Sequence, residues 1–233
     1  MALGKVYLVG AGPGDPGLLT LRAVTLLGAA DVLVHDGLLG TGIEALFPKG
    51  AQVERVQGGP HATPTREVVR RLARHARAGR TVLRLHVGDP FLFESGPEEL
   101  EGLRRLRIPV EAVPGVSSLT AAATAHGLSL TDADCTRGVL VLPGRHPGID
   151  WEHAARFAGT LVLMMSASSL TENVGRLLAA GRPALTPTTM IERATLPEAK
   201  VLRGTLRTIV AKARRARVRS PAVVIVGPRK PSR

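Results

Sequence analysis

The sequence predicts an α/β protein built as two lobes, and three observations predict it. Short valine- and leucine-rich runs alternate with stretches of helical periodicity through the first half of the chain. Several of those runs are apolar at nearly every position, as parallel strands covered on both faces should be. In the second half, strand-like runs follow one another with fewer helices between them. Residues 1–114 are therefore expected to form an N-terminal α/β lobe with a mostly parallel sheet. Residues 115–233 are expected to form a C-terminal α/β lobe with a mixed sheet, and a cleft is expected between the two.

Taken in order, "VYLVG" (6–10), "DVLVHD" (31–36), "QVERV" (52–56), "TVLRLHVGDP" (81–90) and "VEAVPG" (110–115) read as strands. Between them "LLTLRAVTLLGAA", "TREVVRRLARHARAG" and "PEELEGLRRLR" carry helical periodicity and stop at glycine or before proline. Further on, "GVLVLPG" (138–144), "TLVLMMS" (160–166), "TPTTMIER" (186–193), "KVLRGTL" (200–206) and "PAVVIVG" (221–227) are strand-like. Two clear helices, "SLTENVGRLLAAG" and "LRTIVAKARRA", separate them, so strands without a helix between them are expected to pair antiparallel.

Composition narrows the function classes. Of the 233 residues, 44% are hydrophobic, which excludes a disordered chain. No apolar run reaches the ~20 residues of a membrane span. The start, "MALGKVYLVG", enters a strand at once and reads as no secretory signal. With Cys135 as the one cysteine, an internal disulfide is impossible, and a reducing, cytoplasmic location is expected. A net charge of +12 favours an anionic partner, while aromatics at only 3% leave few stacking platforms for single-stranded nucleic acid. A small polyanion is the favoured partner. No metal site is expected, because the histidines are scattered and none lies at ligand spacing from Cys135.

Three loops at strand ends carry the candidate site. The first, "GAGPGDPG" (10–17), is not a dinucleotide fingerprint: Asp15 stands where a third glycine belongs, and Pro13 and Pro16 remove amide donors from a phosphate cradle. By itself it reads equally as a tight strand-to-helix turn. The second holds Val87, Gly88, Asp89 and Leu92, with Asp89 either a ligand acceptor or the cap of its own turn. The third holds Ser117 and Ser118 at a helix start, where they cap the helix or face a ligand.

Together with "HDGLL", "TPTTMIERAT", "VLRGTL" and "SPAVVIVG", these loops give a chain that resembles the tetrapyrrole methylases from end to end, and within them the branch that methylates uroporphyrinogen III. The resemblance implies S-adenosyl-L-methionine held folded between two α/β domains of a homodimer, with S-adenosyl-L-homocysteine as product. It implies methyl transfer to C2 and then C7 of uroporphyrinogen III, yielding precorrin-2 for sirohaem or cobalamin synthesis. The alternatives are a precorrin-4-like methylase, a methylase with a non-tetrapyrrole acceptor, and a basic binding module for nucleic acid or another anionic partner. Donor contacts would fall on Pro13, Val87, Gly88, Asp89, Leu92, Ser117, Ser118, Met165 and Ala194. As a methionine in an apolar run, Met165 otherwise reads as core. Asp36 matches an acidic residue and is the candidate general base, with capping of the next turn as its plainer role.

Around the acceptor the chain departs from the family. Gly37 and Gly58 stand where relatives carry an arginine and a lysine, with His61 and Pro64 left in a shortened segment, and Asp132 and Ala133 stand where relatives carry basic side chains. Arg84, His86, Arg137, Arg145, His146 and Arg193 are the candidates to compensate.

Overall fold

Alternation inside the apolar runs decides how the first sheet is covered. The structure, a computed structural model, describes residues 2–57, 62–131 and 138–227. Gly58, His61, Asp132, Ala133, Cys135 and Arg137 lie outside the described residues. Strands β1 (Val6–Gly10), β2 (Val32–His35), β3 (Gln52–Arg55), β4 (Val82–His86) and β5 (Val110–Val113) form one parallel sheet in the order β3-β2-β4-β1-β5. Successive residues of a strand point to opposite faces. Val6, Leu8, Val32, Val34 and Val82 meet helices α3 (Thr65–Arg77) and α4 (Gly96–Arg105) through Val68, Leu72, Ala76 and Leu103. Val9, Leu33, Leu83 and Leu85 meet α1 (Leu21–Gly28) and Ile43 of the short α2 (Thr41–Glu44). Both faces are covered, so the central strands are apolar at nearly every position. Each fully buried leucine contributes about 1.5–3 kcal/mol of transfer free energy. Only the edge strand β3, "QVER", leaves residues of both faces in solvent.

The second sheet is mixed, in the order β6-β7-β10-β8-β9, from β6 (Val139–Pro143), β7 (Thr160–Met164), β8 (Pro187–Glu192), β9 (Lys200–Thr205) and β10 (Ala222–Val226). Helices α6 (Trp151–Arg156), α7 (Leu170–Ala179) and α8 (Leu206–Arg215) cover one face, where Leu170, Val174, Leu177, Leu206 and Ile209 pack on Leu161, Leu163, Met190 and Val224. On the other face α5 (Ser118–Ala125) brings Ala122 and Ala123 to Val162, Ile191, Val223 and Ile225. One pairing differs from expectation: β6 and β7 are parallel. The cause is α6, started by Asp150, whose Oδ1 accepts from the His153 N–H at 2.8 Å. A helix between two strands lets the second run beside the first in the same direction. The β7–β10, β10–β8 and β8–β9 pairs are antiparallel.

The chain divides into two compact units, Met1–Ser117 and Ser118–Arg233. The turn after β5 goes with the first unit because the Gly115 N–H donates to Asp89 Oδ2 at 3.1 Å. No helix among the described residues is long and apolar enough to cross a membrane.

Candidate active site

In the first sheet, β1 and β4 are neighbours whose following helices leave to opposite faces: α1 to one, α4 to the other. Outside the carboxyl ends of such a strand pair lies the crevice where open α/β sheets take ligands. The loops after β1 and β4 meet there backbone to backbone. The Gly12 N–H donates to the Gly88 carbonyl at 3.2 Å, and the Gly88 N–H donates to the Gly12 carbonyl at 2.8 Å. The turn after β5 joins them. A Cβ on Gly10 would lie 2.5 Å from Gly115 Cα, and one on Gly115 would lie 2.2 Å from the Gly88 carbonyl oxygen. No side chain fits at either position, so the three loops pack main chain to main chain.

Asp89 holds these loops together. Its Oδ1 accepts from the Phe91 N–H at 2.9 Å, the turn-capping bond, while its Oδ2 accepts from Gly115. One carboxylate thus ties the β4 loop to the β5 turn. Pro13, Val87, Gly88, Asp89, Leu92 and Ser117 all sit on these three loops, with Val87 and Leu92 half-buried. Asp15 stays local, accepting from the Gly17 N–H at 2.8 Å. Asp36 follows β2, one strand from the β4 loop on the same sheet edge. Its Oδ1 accepts from the Leu38 N–H at 3.1 Å, which leaves Oδ2 outside that turn.

Beneath the β4 loop lies a buried charge cluster. Arg84 and His86 share the sheet face of Val82, and Glu99 of α4 reaches up to them. Arg84 Nε lies 3.2 Å from Glu99 Oε1, which also accepts from Ser95 Oγ at 2.8 Å. His86 Nε2 lies 3.2 Å from Glu99 Oε2. Its Nδ1 makes no hydrogen bond and has the Glu94 carboxylate 3.5 Å away as a charge partner. Burial opposes charge on His86, but Glu94 and Glu99 outweigh it and hold its pKa above the ordinary value. Burial likewise opposes charge on Glu99, and His86 with Arg84 outweighs it, so its pKa is lowered. Arg84 and His86 are therefore spoken for. The expectation that they compensate at the acceptor is corrected: their strand positions aim them into the helix-covered face, 4% and 0% exposed.

In the second unit, β7 and β8 both run antiparallel to β10, so their carboxyl ends share one sheet edge. Met165 follows β7 and Ala194 follows β8 at that edge, separated by the width of one strand, about 10 Å. Met165 is not core: it is 41% exposed with φ +53°, a backbone state uncommon for a long side chain. Buried Asn173 braces this corner, its Nδ2 3.2 Å from both Ser166 Oγ and Ser169 Oγ, while Ser169 Oγ donates to the Gly144 carbonyl at 2.8 Å. His126 Nε2 lies 2.8 Å from the Ala194 carbonyl oxygen. Ser118 opens α5. Of the other basic candidates, Arg193 pairs with Glu198 at 2.8 Å, and Arg145 and His146 are exposed.

Sequence reasoning missed Arg55. It ends β3, and its guanidinium lies over Gly37: a Cβ on Gly37 would stand 2.2 Å from Arg55 Nε. The signal lay in "QVERV", where an arginine closes an edge strand level with His35.

Residues 5–210 match the family model of the Tetrapyrrole (Corrin/Porphyrin) Methylases. The chain is 42% identical over 229 residues to the uroporphyrinogen-III C-methyltransferase of Pseudomonas aeruginosa, covering 96% of this chain and 93% of that one. Against siroheme synthases it spans about half the relative's length, 49% for that of Gluconobacter oxydans at 39% identity. The solved uroporphyrin-III C-methyl transferase of Thermus thermophilus complexed with S-adenyl homocysteine superposes with a TM-score of 0.82 at 39% identity, covering 96% of this chain and 97% of that one. A cobalt precorrin-4 methyltransferase superposes with a TM-score of 0.86 at 31% identity, covering 96% and 94%. With its three glycine loops packed main chain to main chain, its two sheets and a family model that matches residues 5–210, the chain belongs to the tetrapyrrole methylase family.

Proposed function

We propose that the protein is an S-adenosyl-L-methionine-dependent C-methyltransferase acting on uroporphyrinogen III, with precorrin-2 as product. The observation that carries this reading is the meeting of the loops after β1, β4 and β5 at Gly10, Gly88 and Gly115, tied by Asp89, at the sheet edge where open α/β sheets take ligands. Its chemistry fits a sulfonium nucleoside better than a dinucleotide. Pro13 and Pro16 withhold amides from any phosphate, and Val87 and Leu92 offer apolar surface. The sulfonium, when bound, supplies a methyl group already activated for displacement by a pyrrole carbon, and S-adenosyl-L-homocysteine leaves.

The chain's own part is then alignment and one proton. Asp89 holds the β4 loop and β5 turn in register, so Pro13, Val87, Gly88, Leu92 and Ser117 keep a fixed shape for the donor; Ser118, Met165 and Ala194 are proposed contacts from the second unit. Asp36 Oδ2 accepts the proton that the methylated carbon framework gives up. The homodimer and the cytoplasmic location are part of the proposal and rest on the family resemblance and on composition alone.

A second reading, methylation of a precorrin-4-like acceptor, is favoured by one observation: the loops "RLHVGDP" and "VPGVSS" resemble those of the precorrin-4 branch. One experiment separates the readings. Labelled S-adenosyl-L-methionine is incubated with uroporphyrinogen III, and the tetrapyrrole is weighed by mass spectrometry. A product heavier by two methyl groups is expected. Micromolar binding of S-adenosyl-L-homocysteine without any mass gain would leave a methylase with another acceptor. Salt-sensitive retention on DNA without S-adenosyl-L-homocysteine binding would support the basic binding module.

A further inference from the structure

Gly37 and Arg55 are two halves of one arrangement. Gly37 has φ +80°, and a Cβ there would lie 2.2 Å from Arg55 Nε and 2.6 Å from Cζ, so the guanidinium fills the space that a side chain at 37 would need. Arg55 Nη2 donates to the Gly37 carbonyl at 3.3 Å. The placement follows from strand register, since β2 and β3 pair with His35 level with Arg55. A positive charge is thereby set at the carboxyl edge of the parallel sheet, beside Asp36.

Its neighbours do not consume that charge. Glu44 Oε1 stands 3.8 Å from Nη2, a long pair, and the Arg55 side chain is 66% exposed. Burial pushes the His35 imidazole below its ordinary pKa, and its Nδ1 accepts from the Gly37 N–H at 3.1 Å, so it supplies no negative charge to the guanidinium. Most of the planar N–H fork therefore faces solvent. A guanidinium fork matches a carboxylate with two parallel hydrogen bonds, which a lysine ammonium cannot do.

We infer that Arg55 binds a carboxylate of the acceptor next to Asp36, the guanidinium reaching the site from β3 across a glycine kept free of a side chain. This rests on the proposed function for the identity of the acceptor, a polycarboxylate, but the binding step is testable without catalysis. The probe is uroporphyrin III, the oxidised polycarboxylate, bound at equilibrium to wild type, Arg55→Gln and Arg55→Lys. Its methyl ester, which lacks the charges, is the control. Loss of one charge-assisted, two-bond contact is expected to weaken binding by Arg55→Gln about tenfold to a hundredfold. Arg55→Lys should recover part of the loss, and the ester should bind wild type and variant alike. In turnover, KM for uroporphyrinogen III should rise with kcat and S-adenosyl-L-homocysteine affinity unchanged.

If wild type binds uroporphyrin III in an Arg55-dependent way yet methylates no uroporphyrinogen III, the proposed reaction fails and the carboxylate site stands. If wild type methylates and Arg55→Gln leaves KM and uroporphyrin binding unchanged, the reaction stands and the inference is overturned. A variant that loses thermal stability and S-adenosyl-L-homocysteine affinity together with acceptor binding would make Arg55 a brace for the Gly37 turn, which also overturns it. So would a wild type that binds no uroporphyrin III at all.

Discussion

Asp89 uses both carboxylate oxygens on backbone N–H groups, and that decides how its removal should act. Asp89→Ala unties the β4 loop from the β5 turn without touching Asp36. Titration calorimetry should then show S-adenosyl-L-homocysteine affinity reduced at least tenfold, with Asp89→Asn, which keeps one acceptor oxygen, in between. Asp36→Asn should do the reverse. It removes the proposed base while leaving the three loops intact, so kcat should fall about 10²–10⁴-fold with S-adenosyl-L-homocysteine affinity unchanged. Equal affinity loss in both variants would undo this division of roles. Glu99 is the costliest polar residue to lose. Glu99→Gln leaves Arg84 buried without its carboxylate, and urea unfolding at neutral pH should show a loss of about 3–5 kcal/mol. The pH dependence has a definite sign. The lowered pKa of Glu99 makes its contribution present above its ordinary pKa and lost as pH falls through the depressed value. The raised pKa of His86 makes its contribution present below its ordinary pKa and lost as pH rises through the elevated value. The wild-type advantage over Glu99→Gln should therefore be greatest between those limits.

Elements show where pattern reading works and where it stops. The strands among the described residues lie where the strand-like runs put them; in central strands such as β1, β2 and β10, two-faced burial selects valine and leucine at nearly every position and the residue type reports it directly. Helix α6 escaped: six residues are too few to display a period, and only the Asp150 cap betrayed it. That one omission also turned the β6–β7 pair from parallel to antiparallel in expectation. At the loops, composition announced glycine and proline but not the reason for the glycines, which is the meeting of β1, β4 and β5 loops main chain to main chain. Gly115→Ala would set a Cβ 2.2 Å from the Gly88 carbonyl oxygen and force the loops apart. A lowered thermal midpoint and weaker S-adenosyl-L-homocysteine binding are expected together. Gly50→Ala, with nothing within 4 Å of its Cβ, should change neither.

At the scale of the whole molecule, the excess of positive charge is distributed over helix faces such as that of α3, where Arg66, Arg70, Arg74 and Arg77 are exposed. A solvated face of this kind needs no partner, and weak, salt-erased retention on DNA is the expected behaviour. Specific donor binding should instead stabilise the folded chain. S-adenosyl-L-homocysteine at a hundred times its Kd should add about 2.7 kcal/mol, read as a rise in thermal midpoint. By itself the sequence determined the α/β class, the strands and the three loops, because backbone burial and turn chemistry are written in residue types that are neighbours in the chain. Tertiary structure alone decided which charges are buried and which face solvent. Arg84 and His86, apparently available, are turned inward by strand alternation and matched to Glu99, whereas Arg55 is carried to Gly37 by the β2–β3 register across eighteen residues of chain. A side chain's direction depends on strand pairing and sheet face, and those are settled only when distant segments meet.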